Sequence, residues 1–213
     1  MITTRKIRTL TVYCGSGPGD NQEFVQEAHD LGEIFCQQDV GGVYGGGFVG
    51  LMGTFGSSMI SHGGHITGVI PKLLIQKEQP IVAEHGNLAK HDRYQLIVTE
   101  NMYERKRKFR ELSDGFVVLP GGAGTLDEFF EEITGIQIGD HHKPMVIVNV
   151  KKFWDPLLYL LEHLRKHKFV REGLEFEQLF HVVTRVEDVL PNLRRMVGET
   201  NVVDLATQAK AAG

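Results

Sequence analysis

Two residues stand where their types are out of character, and together they carry the chemistry this sequence can do. The segment over 100–112, ENMYERKRKFREL, reads at first as a solvated basic helix. Projected at 100° per residue from Met102, however, Arg105 falls at about 300°, between Leu112 at about 280° and Phe109 at about 340°. Arg107, Lys108 and Arg110 point elsewhere, and Lys106, at about 40°, borders the apolar stripe within reach of the same place. A guanidinium inside a buried stripe needs a carboxylate, a phosphate or both, because an uncompensated interior charge costs several kcal/mol. Glu128, at the next strand-to-helix turn, supplies such a carboxylate. The competing reading of Glu128 is a capping box, Thr125-x-x-Glu128, in which the carboxylate only satisfies backbone donors.

Around these residues lie three glycine clusters, each at a turn from a strand into a helix: Gly15-Ser16-Gly17-Pro18-Gly19, Gly45-Gly46-Gly47 through Gly50, and Gly121-Gly122-Ala123-Gly124-Thr125. Such turns sit at the carboxyl ends of parallel strands. There glycine lets a phosphate approach backbone N–H groups, and the helix N-terminus adds partial positive charge. A phosphorylated ligand is the expectation. The second cluster satisfies G-x-G-x-x-G, but about 20 residues on, where a dinucleotide fold places a ribose-binding carboxylate, the chain reads Val69-Ile70-Pro71-Lys72. The sequence also lacks G-x-x-x-x-G-K-[ST].

The elements that must position these groups alternate between short β-branched runs and longer helical periods, the pattern of a parallel sheet covered by helices. Strands are predicted over 7–14, 42–44, 65–70, 95–99, 116–119 and 145–150, with an edge strand over 179–184. Helices are predicted over 20–38, opened by an Asp20/Glu23 capping box, and over 51–62, 101–112, 126–138, from 155 onward and over 187–196. Residues 72–93 form a long connection of weak periodicity.

Composition bounds the rest. The 213 residues suit one domain over 1–197, with a polar, alanine-rich tail over 198–213. A formal charge of −4 argues against a nucleic-acid partner. Without an apolar run of about 18 residues no membrane partner is expected. Two cysteines, Cys14 and Cys36, and no leader pattern point to a cytoplasmic protein rather than a secreted disulfide framework. Glycine is the outlier, 25 residues or about 12% against a usual 7%, and the three turns account for its excess.

Pro120-Gly121-Gly122-Ala123-Gly124-Thr125-Leu126-Asp127-Glu128 resembles the PGGxGTxxE signature of the LONELY GUY family, the cytokinin riboside 5′-monophosphate phosphoribohydrolases often labelled lysine decarboxylase-like. Met102-x-x-Arg105-Lys106 is similar to the family's second signature. Cys14-Gly15-Ser16, Gly45 through Gly53 and Gly64 through Pro71 lie in the family's order. The resemblance implies an α/β, Rossmann-like three-layer sandwich with a central, mostly parallel sheet of about seven strands. It also implies hydrolysis of the N-glycosidic bond of a nucleoside 5′-monophosphate, a cytokinin nucleotide or a plain purine nucleotide such as AMP, to free base and ribose 5-phosphate. Carried over by position, Arg105 and Glu128 form the catalytic pair. Lys106, Gly121, Gly122, Gly124, Thr125, Thr134, Ser16, Gly46, Gly47 and Met102 line the substrate site, with no metal and no cofactor.

A further substrate-binding glutamate of the family falls at Glu84 or Glu78. The chain departs from plant members at Ala123, where tyrosine is usual, at Tyr103, where histidine is common, and at Gly135-Ile136-Gln137, where Trp-Ala-Gln is typical. These departures bear on base preference. A homodimer is expected, with the apolar residues of helix 126–138, Phe130 and Ile136 among them, at its interface.

Three other readings compete. A non-catalytic nucleotide or molybdenum-cofactor binding protein shares the fold without needing Arg105 and Glu128 together. Pyridoxal phosphate chemistry needs a lysine in a cofactor context, and Lys143 and Lys168 read as exposed loop or helix-end residues. Metal binding finds His62, His65 and His141-His142 beside Asp140, without zinc-site spacing.

Overall fold

A computed structural model describes residues 6–78, 92–170 and 176–198. Seven strands form one sheet: β1 (Thr9–Tyr13), β2 (Gly41–Tyr44), β3 (Ile66–Pro71), β4 (Tyr94–Thr99), β5 (Gly115–Val118), β6 (Met145–Val148) and β7 (His181–Val183). Their order is β4-β3-β2-β1-β5-β6-β7, and every pairing is parallel. The expected sheet of mostly parallel strands is thus parallel throughout.

The helices are α1 (Gln22–Gln37), α2 (Gly50–Ser61), a short α3 (Ile75–Glu78), α4 (Met102–Leu112), α5 (Ala123–Ile138), α6 (Asp155–Lys166), a single turn α7 (Phe176–Leu179) and α8 (Val189–Met196). Alternation along the strands sends side chains to two cores, as strand geometry requires. Leu10, Val12, Val117 and Val146 meet Phe24, Leu31 and Phe35 of α1, Phe55 and Met59 of α2 and Leu193 of α8. Tyr13, Phe116, Val118 and Ile147 meet Phe109 of α4, Phe129 and Ile133 of α5 and Leu161 of α6. The result is a three-layer α/β sandwich of Rossmann-like type.

Chain order reverses at β1, which pairs with β2 on one side and β5 on the other. In open parallel sheets a crevice forms at the carboxyl ends of strands where the order reverses. Here the loops leaving β1 and β5 meet across it, the Gly15 amide donating to the Pro120 carbonyl at 3.0 Å.

Element ends differ from the sequence reading in ways that matter. Helix α1 is capped by Asn21, whose side chain accepts from the Glu23 amide, and not by Asp20. Helix α5 begins at Ala123 with Gly122 as its N-cap, three residues before the predicted start. Residues 72–74 and 75–78 form a 3₁₀ turn and a helical turn at the start of the long connection. Glu84 lies outside the described residues, as does the tail from 199 onward. No helix among the described residues is long and apolar enough to cross a membrane.

Candidate active site

The crevice at the reversal point is a cleft of about 170 Å³, lined by the β1 residues Val12 and Tyr13, the following Cys14, Gly15 and Ser16, then Gly45, Met52, Arg105, Gly122 through Thr125, and Glu128. Each element delivers a distinct group to it.

Helix α4 delivers Arg105, whose side chain is 6% exposed. Its guanidinium is fixed by main-chain acceptors, Nε donating to Val69 O at 3.0 Å and Nη2 to Gly45 O at 3.1 Å. It also lies 5.2 Å from the centroid of the Phe109 ring, within cation–π range. Carbonyls satisfy donors without neutralising charge, so the guanidinium stays a cation whose fork is held still. Gly45 makes this approach feasible, because a Cβ there would lie 2.5 Å from Nη2. Nη1 faces Glu128, with 3.9 Å to Oε1, an ion-pair distance longer than a hydrogen bond.

Helix α5 delivers Glu128, with its side chain 10% exposed. The early start of α5 decides its role. With Gly122 at the N-cap, Thr125 is the third helical residue and no side-chain cap is made. The capping-box reading of Thr125 and Glu128 therefore falls. Among the described residues no group accepts from the amides of Ala123, Gly124 or Thr125, while Leu126 donates to Gly122 O. Cβ atoms at Gly122 and Gly124 would meet nothing within 4 Å. The α5 N-terminus thus presents to the cleft amides without an acceptor among the described residues, together with partial positive charge, the physical makings of an anion site.

The second glycine cluster behaves otherwise. The Leu51 and Met52 amides at the start of α2 donate to Gly15 O at 3.1 and 3.3 Å, and the Gly53 amide to Val49 O. Gly46 and Gly47 are buried, and a Cβ on Gly46 would press on Val69 and Ile70 of β3. These two residues shape the cleft from behind and do not line it.

Of the predicted site residues, the structure gathers Arg105, Glu128, Ser16, Gly122, Gly124 and Thr125 around one cleft. Gly121 lines an adjoining cavity of about 270 Å³ with Gly15, Ser16 and Gly122. Met102 stands behind Arg105, its sulfur 4.0 Å from Nη1. Lys106 does not reach the cleft: it pairs with Asp127 at 3.2 Å and with Glu131 on the outer side of α5. Burial pulls its ammonium pKa down, but those two carboxylates outweigh it and hold the pKa above the ordinary lysine value. Thr134 is exposed and lines a separate groove with Phe130 and Ile138. Glu78 ends the short α3.

Sequence reasoning did not single out Tyr13, Cys14 and Met52 as cleft residues. Burial, with the Glu128 charge adding to it and Arg105 opposing, pushes the Cys14 thiol far up, so it is a neutral wall. Glu132, 1% exposed, was also missed. The arithmetic applied to Arg105 finds it, because Glu132 falls one turn beyond Glu128 on the stripe that holds Phe129 and Ile133.

Other cofactor readings find little footing. Among the described residues no lysine lines the cleft, and Lys143 donates to the Ser113 carbonyl at 2.6 Å at the end of α4. His29, Asp30 and Glu33 of α1 group ligand atoms within 4.8 Å of one another, but none of them lines the cleft.

A family model described as "Possible lysine decarboxylase" matches residues 52–193. The chain is 37% identical over 163 residues to a cytokinin riboside 5′-monophosphate phosphoribohydrolase of Rhodococcoides fascians, covering 76% of this chain and 78% of that one. It is 38% identical over 182 residues to the Mycobacterium tuberculosis protein of the same designation, covering 85% and 91%. Among solved structures, a molybdenum cofactor binding protein from Rippkaea orientalis superposes with a TM-score of 0.63 at 16% identity, over 90% of this chain and 98% of that one, which shows the shared fold alone. On the family model and these identities, the chain belongs to the LONELY GUY family, whose model carries the lysine decarboxylase description.

Proposed function

We propose that this chain hydrolyses the N-glycosidic bond of a purine nucleoside 5′-monophosphate, releasing free base and ribose 5-phosphate. The observation that carries this reading is the buried Arg105–Glu128 pair beside a helix N-terminus whose first amides find no acceptor among the described residues. Relatives at 37% and 38% identity named for this reaction on cytokinin nucleotides support it.

In this proposal the 5′-phosphate takes the amides of Ala123, Gly124 and Thr125, and the neighbouring Gly122 lets it approach. The sugar then lies between Glu128 and Arg105. Cleavage passes through an oxocarbenium-like state at C1′, which a carboxylate stabilises as positive charge develops. The C1′–N bond breaks with its electron pair leaving on the base. Water bonds to C1′ and passes a proton to Glu128; the departing base takes a proton from solvent, and Glu128 gives its own back to solvent, which leaves neutral base, ribose 5-phosphate and the starting carboxylate. Arg105 hardly deprotonates, so its part is to stabilise negative charge on the leaving base or the phosphate, not to donate a proton. Val12 and Met52 give the apolar wall a purine ring needs.

The proposal includes a cytoplasmic homodimer. Cys14 and Cys36 are free thiols, as a reducing compartment allows. The outer side of α5 and α4 carries Ile138 at 60% and Tyr103 at 72% exposure, apolar surface suited to a second copy. Thr134 sits in that face and would approach a substrate only across such an interface. Light scattering checks this, and a monomer removes both the dimer and the Thr134 role.

The decisive assay incubates the protein with AMP and with isopentenyladenosine monophosphate and measures free base and ribose 5-phosphate. Glu128→Gln is expected to lower kcat by about 10²–10³-fold. Absence of base release by wild type, or equal release by Glu128→Gln, overturns the reading. Tight nucleotide binding without turnover would favour the carrier alternative.

A further inference from the structure

Carboxylate chemistry beneath the cleft does not end with Glu128. One turn further along α5, both oxygens of the buried Glu132 are engaged. Oε1 accepts from the Tyr13 hydroxyl at 3.2 Å. Oε2 accepts from Arg110 Nε at 3.0 Å and lies 2.9 Å from His141 Nε2, close but poorly aligned for a hydrogen bond. His141 Nδ1 accepts from the Lys143 amide at 3.3 Å, which leaves Nε2 as the ring nitrogen that carries a proton, on the side of Glu132. Arg110 also holds Asp140 at 2.6 Å and Glu131 at 3.7 Å on the solvent side.

Tyr13 stands between this network and the cleft, which it lines together with Glu128. Burial first, then the charges of Glu132 and Glu128, push its hydroxyl well above the ordinary tyrosine range, while Arg110 pulls the other way. It is therefore a phenol with a single proton to donate, and two carboxylates bear on it.

We propose that Glu132 is a positioning residue for the hydrolytic site: by accepting the one proton of Tyr13, with its second oxygen locked by Arg110, it keeps the phenol from donating to Glu128. Glu128 thereby receives no hydrogen bond from the phenol. This inference rests on the hydrolase reading above and adds a residue to it.

The chemistry of glutamine makes the idea testable. In the Glu132→Gln protein the new side chain has one acceptor oxygen, and Arg110, which has only donors, takes it; the amide NH₂ then faces Tyr13, whose proton is released to turn toward Glu128 in the cleft that both line. For Glu132→Gln, kcat on AMP is expected to fall about tenfold, with KM within about twofold. Added to Tyr13→Phe, the same substitution is expected to cost less than about twofold, because no phenol remains to be redirected. Glu132→Asp keeps the charge opposite Arg110 while drawing the carboxylate back from Tyr13. It gives a second reading of the cycle and carries the test if Glu132→Gln does not fold.

An unchanged kcat in both Glu132 variants, or the same tenfold loss in the Tyr13→Phe background, overturns the proposal. So does a Tyr13→Phe protein that no longer hydrolyses AMP, since the phenol would then be needed for reaction. If wild type itself releases no adenine, it is the hydrolase reading that fails.

Discussion

Gly45 to Gly50 and Gly121 to Gly124 both lead from a central parallel strand into a helix, yet the helix N-termini that follow face different things. At α2 the first amides are bound to Gly15 O, so the turn ties one loop of the crevice to another. A Cβ on Gly50, where φ is +59°, would run into the backbone of Ser16 and Gly17. At α5 the first three amides find no acceptor among the described residues, and Cβ atoms on Gly122 and Gly124 would enter open space. Gly50 at the first turn serves packing, whereas Gly122 and Gly124 at the second serve access. A glycine-rich strand-to-helix turn is therefore not by itself an anion site, and the destination of the helix amides decides.

Arg105 joins the two turns, holding Gly45 O on one side and facing Glu128 on the other. Breaking that link has the largest expected effect. Arg105→Met leaves Glu128 buried without its cation, at a cost of about 3–5 kcal/mol, and is expected to abolish base release. A melting temperature within a few degrees of wild type would show that the pair does not bind the turns together.

Next, substitutions that treat the turns alike should separate them. Gly50→Ala strains a left-handed backbone and is expected to cost about 2 kcal/mol, or a Tm loss of about 4–8 °C for a chain of this size, with kcat/KM per folded molecule nearly unchanged. Gly124→Ala should leave Tm within about 2 °C and raise KM for AMP about tenfold, near 1.4 kcal/mol of binding. Equal behaviour of the two variants in melting and kinetics would erase the distinction.

The smallest effect concerns pH. Burial holds the hydroxyls of Tyr13 and Tyr44 well above their ordinary value of 10.0. Their folded pKa is raised, so the stability they contribute is complete below pH 10 and is lost as pH rises beyond it, when the unfolded chain releases protons that the folded one retains. Tm is expected to fall between pH 9 and 11 and to fall less steeply in Tyr44→Phe. A flat Tm over that range contradicts the sign.

Much of this was legible in the chain. β-branched runs marked all seven strands, and helical spacing alone put Arg105 in the interior, where it is 5% exposed. The α5 start was not legible, because Gly122-Ala123-Gly124 reads as loop while the helix in fact opens within it. That shift of three residues moved Thr125 off the cap and into the first turn of the helix. Lys106 turns away from the cleft because a position bordering the stripe can turn either way, and Asp127 and Glu131 draw it outward. Gly46 and Gly47 fit a phosphate motif in sequence, but the amides that would serve it are bound elsewhere, a tertiary fact that spacing does not contain. The order reversal between β1 and β5, which creates the crevice, likewise depends on pairings between strands distant in sequence.

The central claim is that the α5 N-terminus, and not the α2 N-terminus, receives the phosphate beside Arg105 and Glu128. A crystal structure of the Glu128→Gln protein with AMP tests it most directly. The account predicts phosphate oxygens within hydrogen-bond distance of the Gly124 and Thr125 amides, with C1′ of the ribose next to residue 128. Phosphate on the Gly45–Gly50 turn, or a ribose turned away from Arg105 and residue 128, would contradict it.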